Sequence, residues 1–242
     1  MIYPHRSRWL STWMFILLTP CLSDAAADPG GSAKSPVPAV IVIGFVGGFV
    51  HHNDTVHREV QLANHLSQDY PVGMEAKIFE NHSGQQAHQE IMRFLDTDHN
   101  GNLSAEEKHK ARIVLYGHSW GASEAIALAR SLQKDSVNVL LTIQVDSVSK
   151  PGKDDSVIPA NVAQAINFYQ LDGILHGQRQ IVAADPSHTQ ILGNIRLDYK
   201  TNHVDCPGYP WFARTFMRPH IEIESDPKVW NQVESLIRSK LP

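Results

Sequence analysis

A serine stands between two glycines in Gly117-His118-Ser119-Trp120-Gly121. A serine hydroxyl attacks a carbonyl when a base removes its proton and nearby donors hold the charge that develops on oxygen. The G-x-S-x-G spacing suits this at a tight turn between a buried strand and a helix, where side chains in place of the glycines would strike neighbouring backbone. Both flanks fit. Residues 112–116 (RIVLY) read as a buried strand, and residues 121–133 read as a helix rich in alanine and leucine. The turn also sets the serine at the positive N-terminal end of that helix. Ser119 is therefore the candidate nucleophile. One oxyanion donor would be the backbone N–H of Trp120. The second would come from the glycine-rich stretch 44–48 (GFVGG), with Phe45 or Val46 as the donating residue.

Such a serine needs a base, and the base needs an orienting carboxylate. On a strand–turn–helix scaffold of this kind the chain order is serine, acid, histidine. Asp146 directly follows the apolar stretch 137–145 (VNVLLTIQV) and is the favoured acid; Asp185, at the end of IVAAD, competes with it. His220, in RPHIEIESD shortly before the last helix, is the favoured base, ahead of His203 in TNHVDC and then His188. His51, His52 and His57 cluster after the glycine-rich stretch and raise the question of a metal. Nothing near them in the sequence completes a ligand set, so they read as a polar loop and helix face.

A second constellation lies just upstream. Residues 96–107 (DTDHNGNLSAEE) meet every position of the pattern D-x-[DN]-x-[DN]-G-x5-E, an EF-hand calcium loop. Asp96, Asp98 and Asn100 would offer side-chain oxygens, Asn102 its carbonyl, Ser104 a water-mediated contact and Glu107 both carboxylate oxygens; Gly101 allows the sharp turn. The acidic side chains repel one another without a cation, so calcium would stabilise the fold by mass action. The ion would be structural, since the loop consumes its ligands and serine chemistry needs no metal. No second loop of this kind is found, and the exit helix is brief. The competing reading is a polar turn.

The elements that must hold these residues alternate. Residues 39–45 form a continuous apolar run, as in a strand buried on both faces. A helix follows at 55–68, capped by Asp54 or Thr55, then a strand at 74–80 and a helix at 85–95. After the strand, turn and helix around Ser119 come a strand at 137–145, a helix at 161–169, strands at 180–184 and 195–199, and a last helix from Asp226 or Pro227. This order predicts an α/β fold with a mostly parallel sheet covered by helices on both faces. The length, 242 residues, suits one such domain.

The formal net charge of −4 gives no support to a nucleic-acid partner. Residues 1–27 carry Arg6 and Arg8, an apolar run too short to span a membrane, and Ala25-Ala26-Ala27 before Asp28. They read as a secretory signal peptide, which predicts a secreted or periplasmic protein. Residues 28–38 read as a flexible lead-in and 39–242 as the domain. Of the two cysteines, Cys21 would leave with the leader, so Cys206 would stand alone.

Taken together, IGFVGG, YGHSWGAS, IQVDSVSK followed by IPANVAQAINFYQ, and RPHIEIESDPKVW resemble the α/β-hydrolase superfamily, and more narrowly bacterial lipase- or thioesterase-like hydrolases. The resemblance covers nearly all of 39–242. It implies a serine hydrolase acting on a small-molecule or lipid ester or thioester, with Ser119 as nucleophile, Asp146 as acid and His220 as base, and no organic cofactor. The chain is short, with little room for a lid. Residues 206–217 (CPGYPWFARTFM) are aromatic enough to cover an acyl site, or to be core. The competing readings are an acyltransferase with the same residues and a calcium-binding module on an inactive scaffold.

Overall fold

The computed structural model describes residues 40–241. The leader at 1–27 and the lead-in at 28–38 lie outside the described residues. The chain runs β1 (Val40–Val46), α1 (Arg58–Asp69), β2 (Met74–Glu80), α2 (Gly84–Leu95), α3 (Ala105–His109), β3 (Ile113–His118), α4 (Trp120–Lys134) and β4 (Val139–Val145). It continues through β5 (Val157–Ile158), β6 (Val162–Tyr169), β7 (Val182–Ala183), β8 (Gln190–Arg196), α5 (Trp211–Phe216), α6 (Arg218–Ser225) and α7 (Pro227–Arg238). Six strands form one sheet in the order β2-β1-β3-β4-β6-β8, with each neighbouring pair parallel. The short β5 and β7 pair apart from it.

The apolar run of β1 is two interleaved alternations. Ile41, Ile43 and Phe45 pack with Ile91 of α2 and Ala125 and Ile126 of α4 on one face. Val40 and Val42 pack with Leu62 and Leu66 of α1 and Val233 and Ile237 of α7 on the other. Successive strand residues point to opposite faces, so a strand covered on both sides is apolar throughout. The α/β class and the covered parallel sheet follow from this packing.

One expected element is of the other type. Residues 161–169 are not a helix; 162–169 form β6, between β4 and β8. Val162, Ala165, Ile166 and Phe168 are all buried. A strand buried on both faces sets apolar residues close together, and that spacing mimics a helical period. The crossover from β4 to β6 therefore contains no helix. The strand expected at 195–199 begins earlier, at Gln190, and that at 180–184 shrinks to β7. Helix α1 starts at Arg58, with His57 as its N-cap residue and no side-chain cap. Asp54 instead accepts from the Val56 N–H at 3.1 Å.

Candidate active site

The chain order places a topological switch between β1 and β3, and Ser119 stands there, at the carboxyl ends of the strands where open α/β sheets bind ligands. Its backbone is at φ 55° and ψ −126°, a strained conformation for a side chain-bearing residue. The surroundings hold it. The Ser119 N–H donates to the Val145 carbonyl at 3.0 Å, and the Ser119 carbonyl accepts from Val148 at 3.3 Å. A Cβ at Gly117 would lie 2.5 Å from the Gly121 carbonyl carbon, and one at Gly121 would overlap the Phe45 carbonyl. Both glycines are thus sterically required.

His220 bridges the serine and the acid. Its Nε2 lies 2.9 Å from Ser119 Oγ and its Nδ1 lies 2.7 Å from Asp146 Oδ2. All three residues are buried. His220 belongs to α6, a helix the sequence reading did not expect. Asp146, at φ 44°, follows β4 directly. Its Oδ1 accepts from the N–H groups of Gly177 at 2.7 Å and Gln170 at 3.2 Å, and its Oδ2 from Gln170 Nε2 at 2.8 Å. Burial alone would raise the Asp146 pKa; the bonds from His220 and Gln170 outweigh it and hold the carboxyl below its ordinary value. Gln170 and Gly177 escaped the sequence reading because no local pattern marks them. A Cβ at Gly177 would overlap the Asp146 backbone.

The rival residues lie elsewhere. Asp185 is a surface residue whose carboxylate accepts from Ser187 Oγ at 2.6 Å and lies 2.8 Å from His188 Nδ1. His203 is half-exposed beside Glu222, at 3.0 Å. Phe45 and Val46 are fully buried and close β1, so neither sits in the loop that faces the serine. That loop begins one residue later: Gly47, Gly48 and Phe49 line the cleft, and a Cβ at Gly47 would stand 3.1 Å from Ser119 Cβ. Trp120 opens α4, and a first-turn helix N–H has no acceptor within its own helix.

The cleft above Ser119 encloses about 410 Å³. Phe49, Phe212, Met217 and Ile221 give it an apolar wall. The aromatic stretch at 206–217 contains α5, which leaves Trp211 and Phe216 largely exposed while Phe212 and Ala213 line the cleft. The stretch lines one side of the cleft, with Tyr209 and Ala213 buried against Ile221.

Behind the serine lies a polar group that the sequence reading missed. His57 does not join the exposed His51 and His52: its Nδ1 bonds Glu224 Oε1 at 2.5 Å and lies 3.4 Å from the Tyr209 hydroxyl. His118 Nδ1 lies 3.2 Å from Glu224 Oε2 and 3.8 Å from Glu59 Oε1. The expected polar helix face therefore does not describe His57, whose partners come from a distant helix. Burial raises the Glu59 pKa well above its ordinary value, and the neighbouring Glu224 charge adds to this. Burial lowers His118 to about 4.

The loop at 96–107 sits at the opposite end of β3. Gly101 has φ 82°, and ligand atoms of Asp96, Asp98 and Glu107 lie within 4.8 Å of one another. Asp96 accepts from the N–H groups of Asn100 at 3.1 Å and Gly101 at 2.9 Å. Asn100 Oδ1 accepts from the Asn102 N–H at 2.7 Å. Ser104 caps α3 in a capping box with Glu107. Three of the expected ligands, Asp96, Asp98 and Glu107, converge, and their oxygens are of the kind that calcium takes. Glu107 is already engaged, however: Thr97 and Ser104 each donate to it through N–H and hydroxyl, at 2.7 to 2.9 Å.

No protein-family model matches this chain, and no curated protein does. Solved structures of similar outline exist. A thioesterase of the prodiginine pathway of Streptomyces coelicolor is 9% identical, with 94% of this chain and 98% of that one covered and a TM-score of 0.41. An acetylxylan esterase is 12% identical over 85% and 99% of the two chains, with a TM-score of 0.40. A dienelactone hydrolase-like promiscuous phosphotriesterase from metagenomic libraries is 13% identical over 86% and 88%, with a TM-score of 0.43. Likeness at this level carries no argument about chemistry.

Proposed function

We propose that the chain is a serine hydrolase of α/β-hydrolase type that cleaves a carboxylic ester or thioester. The observation that carries the reading is the hydrogen-bonded chain Ser119–His220–Asp146 at 2.9 and 2.7 Å, set at the end of a strained strand–turn–helix. In this reading His220 Nε2 takes the Ser119 proton as Oγ attacks the acyl carbonyl. The oxyanion is held by the Trp120 N–H and by an N–H of the 47–49 segment. His220 then protonates the leaving alcohol or thiol, and an acyl-serine remains. Water, deprotonated by the same imidazole, releases the acid and restores the serine. Asp146 stays ionised and keeps the imidazole oriented. The apolar cleft wall supports an acyl group there, from a small-molecule or lipid ester.

Calcium in the 96–107 loop belongs to the same proposal. Asp96, Asp98, Asn100, Asn102, Ser104 and Glu107 would hold it, and it would stabilise the loop that leads into β3. Residues 1–27 would direct the chain to a secreted or periplasmic location, where calcium is abundant. Among the described residues no helix is long and apolar enough to cross a membrane.

Hydrolysis of a panel of p-nitrophenyl esters by wild type and Ser119→Ala tests the reading. The variant is expected to lose roughly 10⁶-fold in kcat. Undiminished hydrolysis by the purified variant would overturn it.

A further inference from the structure

The group behind the serine has the makings of a metal centre. Glu59 is fully buried, and neither of its carboxylate oxygens has a hydrogen-bond partner. The amides of Gly47 and of Glu59 itself approach the carboxylate without meeting hydrogen-bond geometry. A buried carboxylate with no donor is costly unless a proton or a cation neutralises it. Ligand atoms of His57, Glu59 and Glu224 lie within 4.8 Å of one another.

His118 sharpens the case. Its Nε2 lies 3.2 Å from the His220 carbonyl, an acceptor, so Nε2 carries the hydrogen. In the neutral ring Nδ1 is then a bare lone pair. It faces two carboxylates, Glu224 Oε2 at 3.2 Å and Glu59 Oε1 at 3.8 Å. Acceptors turned toward one another call for a proton or a cation between them. A histidine that binds a metal through one nitrogen and donates from the other to a backbone carbonyl has the usual outer support. His57 differs: its Nδ1 is hydrogen-bonded to Glu224 Oε1 at 2.5 Å, so an ion would replace the proton held there, and its Nε2 lies 3.8 Å from Asp54 Oδ2, beyond hydrogen-bond distance.

We propose that His57, Glu59, His118 and Glu224 form a zinc site. Two imidazole nitrogens and two carboxylate oxygens suit tetrahedral zinc, whereas calcium prefers oxygen alone. Zinc bonds of about 2.1 Å separate tetrahedral ligand atoms by roughly 3.4 Å; His118 Nδ1 stands 3.2 and 3.8 Å from the two carboxylates, whereas His57 Nδ1 and Glu224 Oε1, 2.5 Å apart, must move apart for both to bind the ion. His57, His118 and Glu224 line the same cleft as Ser119, which gives the ion an entry path. With four protein ligands the site is closed, so its role is to fix residues. His118 adjoins Ser119 and packs against His220, with ring centroids 4.5 Å apart and the rings tilted by 36°. An ion there would brace both ends of the nucleophile–base pair.

The chain, stripped with a chelator and dialysed, is titrated with zinc chloride by calorimetry, with metal content read by mass spectrometry. One tightly held zinc per chain and a melting temperature higher by several degrees are expected. Glu59→Gln should fold and bind zinc at least roughly 100-fold more weakly. Should Glu59→Gln fail to fold, His57→Asn at the rim serves the same purpose. Asp96→Ala and Glu234→Gln should retain the zinc, which separates this site from the 96–107 loop and from the exposed His65, Asp69 and Glu234 group. Ser119→Ala should bind zinc like wild type, so this proposal and the hydrolase reading fail independently. No zinc in the wild type, or full zinc in both Glu59→Gln and His57→Asn, overturns it.

Discussion

Glu107 and Glu59 are both carboxylates with little exposure, yet Glu107 accepts from the N–H and hydroxyl of both Thr97 and Ser104, and Glu59 accepts from none of the described residues. Glu107 belongs to a contiguous loop that folds its own donors around each acidic group. Glu59 belongs to a pocket assembled from α1, β3 and α6, where the sheet brings carboxylates and imidazoles together without supplying donors. The loop's charges are stabilised locally, so the proposed cation would add to an arrangement already satisfied. The pocket's charge is not, and it lies directly behind the residues proposed to do the chemistry. The two ends of β3 therefore differ in what they lack: the loop has its donors, and the pocket at the far end does not.

That contrast predicts different consequences at the two ends. The largest effect belongs to the assembled end. Asp146→Asn should lower kcat by roughly 10⁴-fold, because the amide holds the imidazole in the wrong tautomer; Asp185→Asn, on the surface, should stay within about twofold in the same ester assay. Equal losses would dissolve the distinction. At the loop, effects should fall on stability. A chelator should lower the melting temperature by a few degrees and Asp96→Ala should abolish the response, read by thermal denaturation with and without millimolar calcium. A melting curve indifferent to both would remove calcium from the account.

The smallest effect concerns Glu107 alone. Its pKa is held down to about 2 by the bonds from Thr97 and Ser104, against an ordinary 4.5. A depressed carboxylate pKa contributes stability that is present above about pH 4.5 and lost as pH falls toward 2. In calcium-free buffer, melting temperature should therefore fall less steeply over that range in Glu107→Gln than in wild type. Parallel curves would show that the bonds to Glu107 contribute nothing.

Local features were legible in the sequence. The β1 run and the glycines flanking Ser119 each sit within a few residues and reflect a steric requirement that a short stretch can display; the 96–107 pattern is equally local. Asp146 and His220 were within reach through chain order, although Asp185 and His203 had to be set aside by geometry. The β6 strand was misread because burial on both faces erases the alternation that marks a strand. Phe45 and Val46 lie within β1 and the cleft-lining loop begins at Gly47, because the end of β1 is not written in GFVGG. His57 and Glu224 are 167 residues apart, and Gln170 and Gly177 support Asp146 from across the sheet; only the fold joins them.

The claim on which the rest turns is that Ser119 is an activated nucleophile. A fluorophosphonate probe followed by peptide mass spectrometry tests it most directly. The account predicts one adduct, on Ser119, absent from Ser119→Ala and strongly slowed in His220→Ala. Failure of the folded wild-type chain to label, or labelling on another serine that persists in Ser119→Ala, would contradict it.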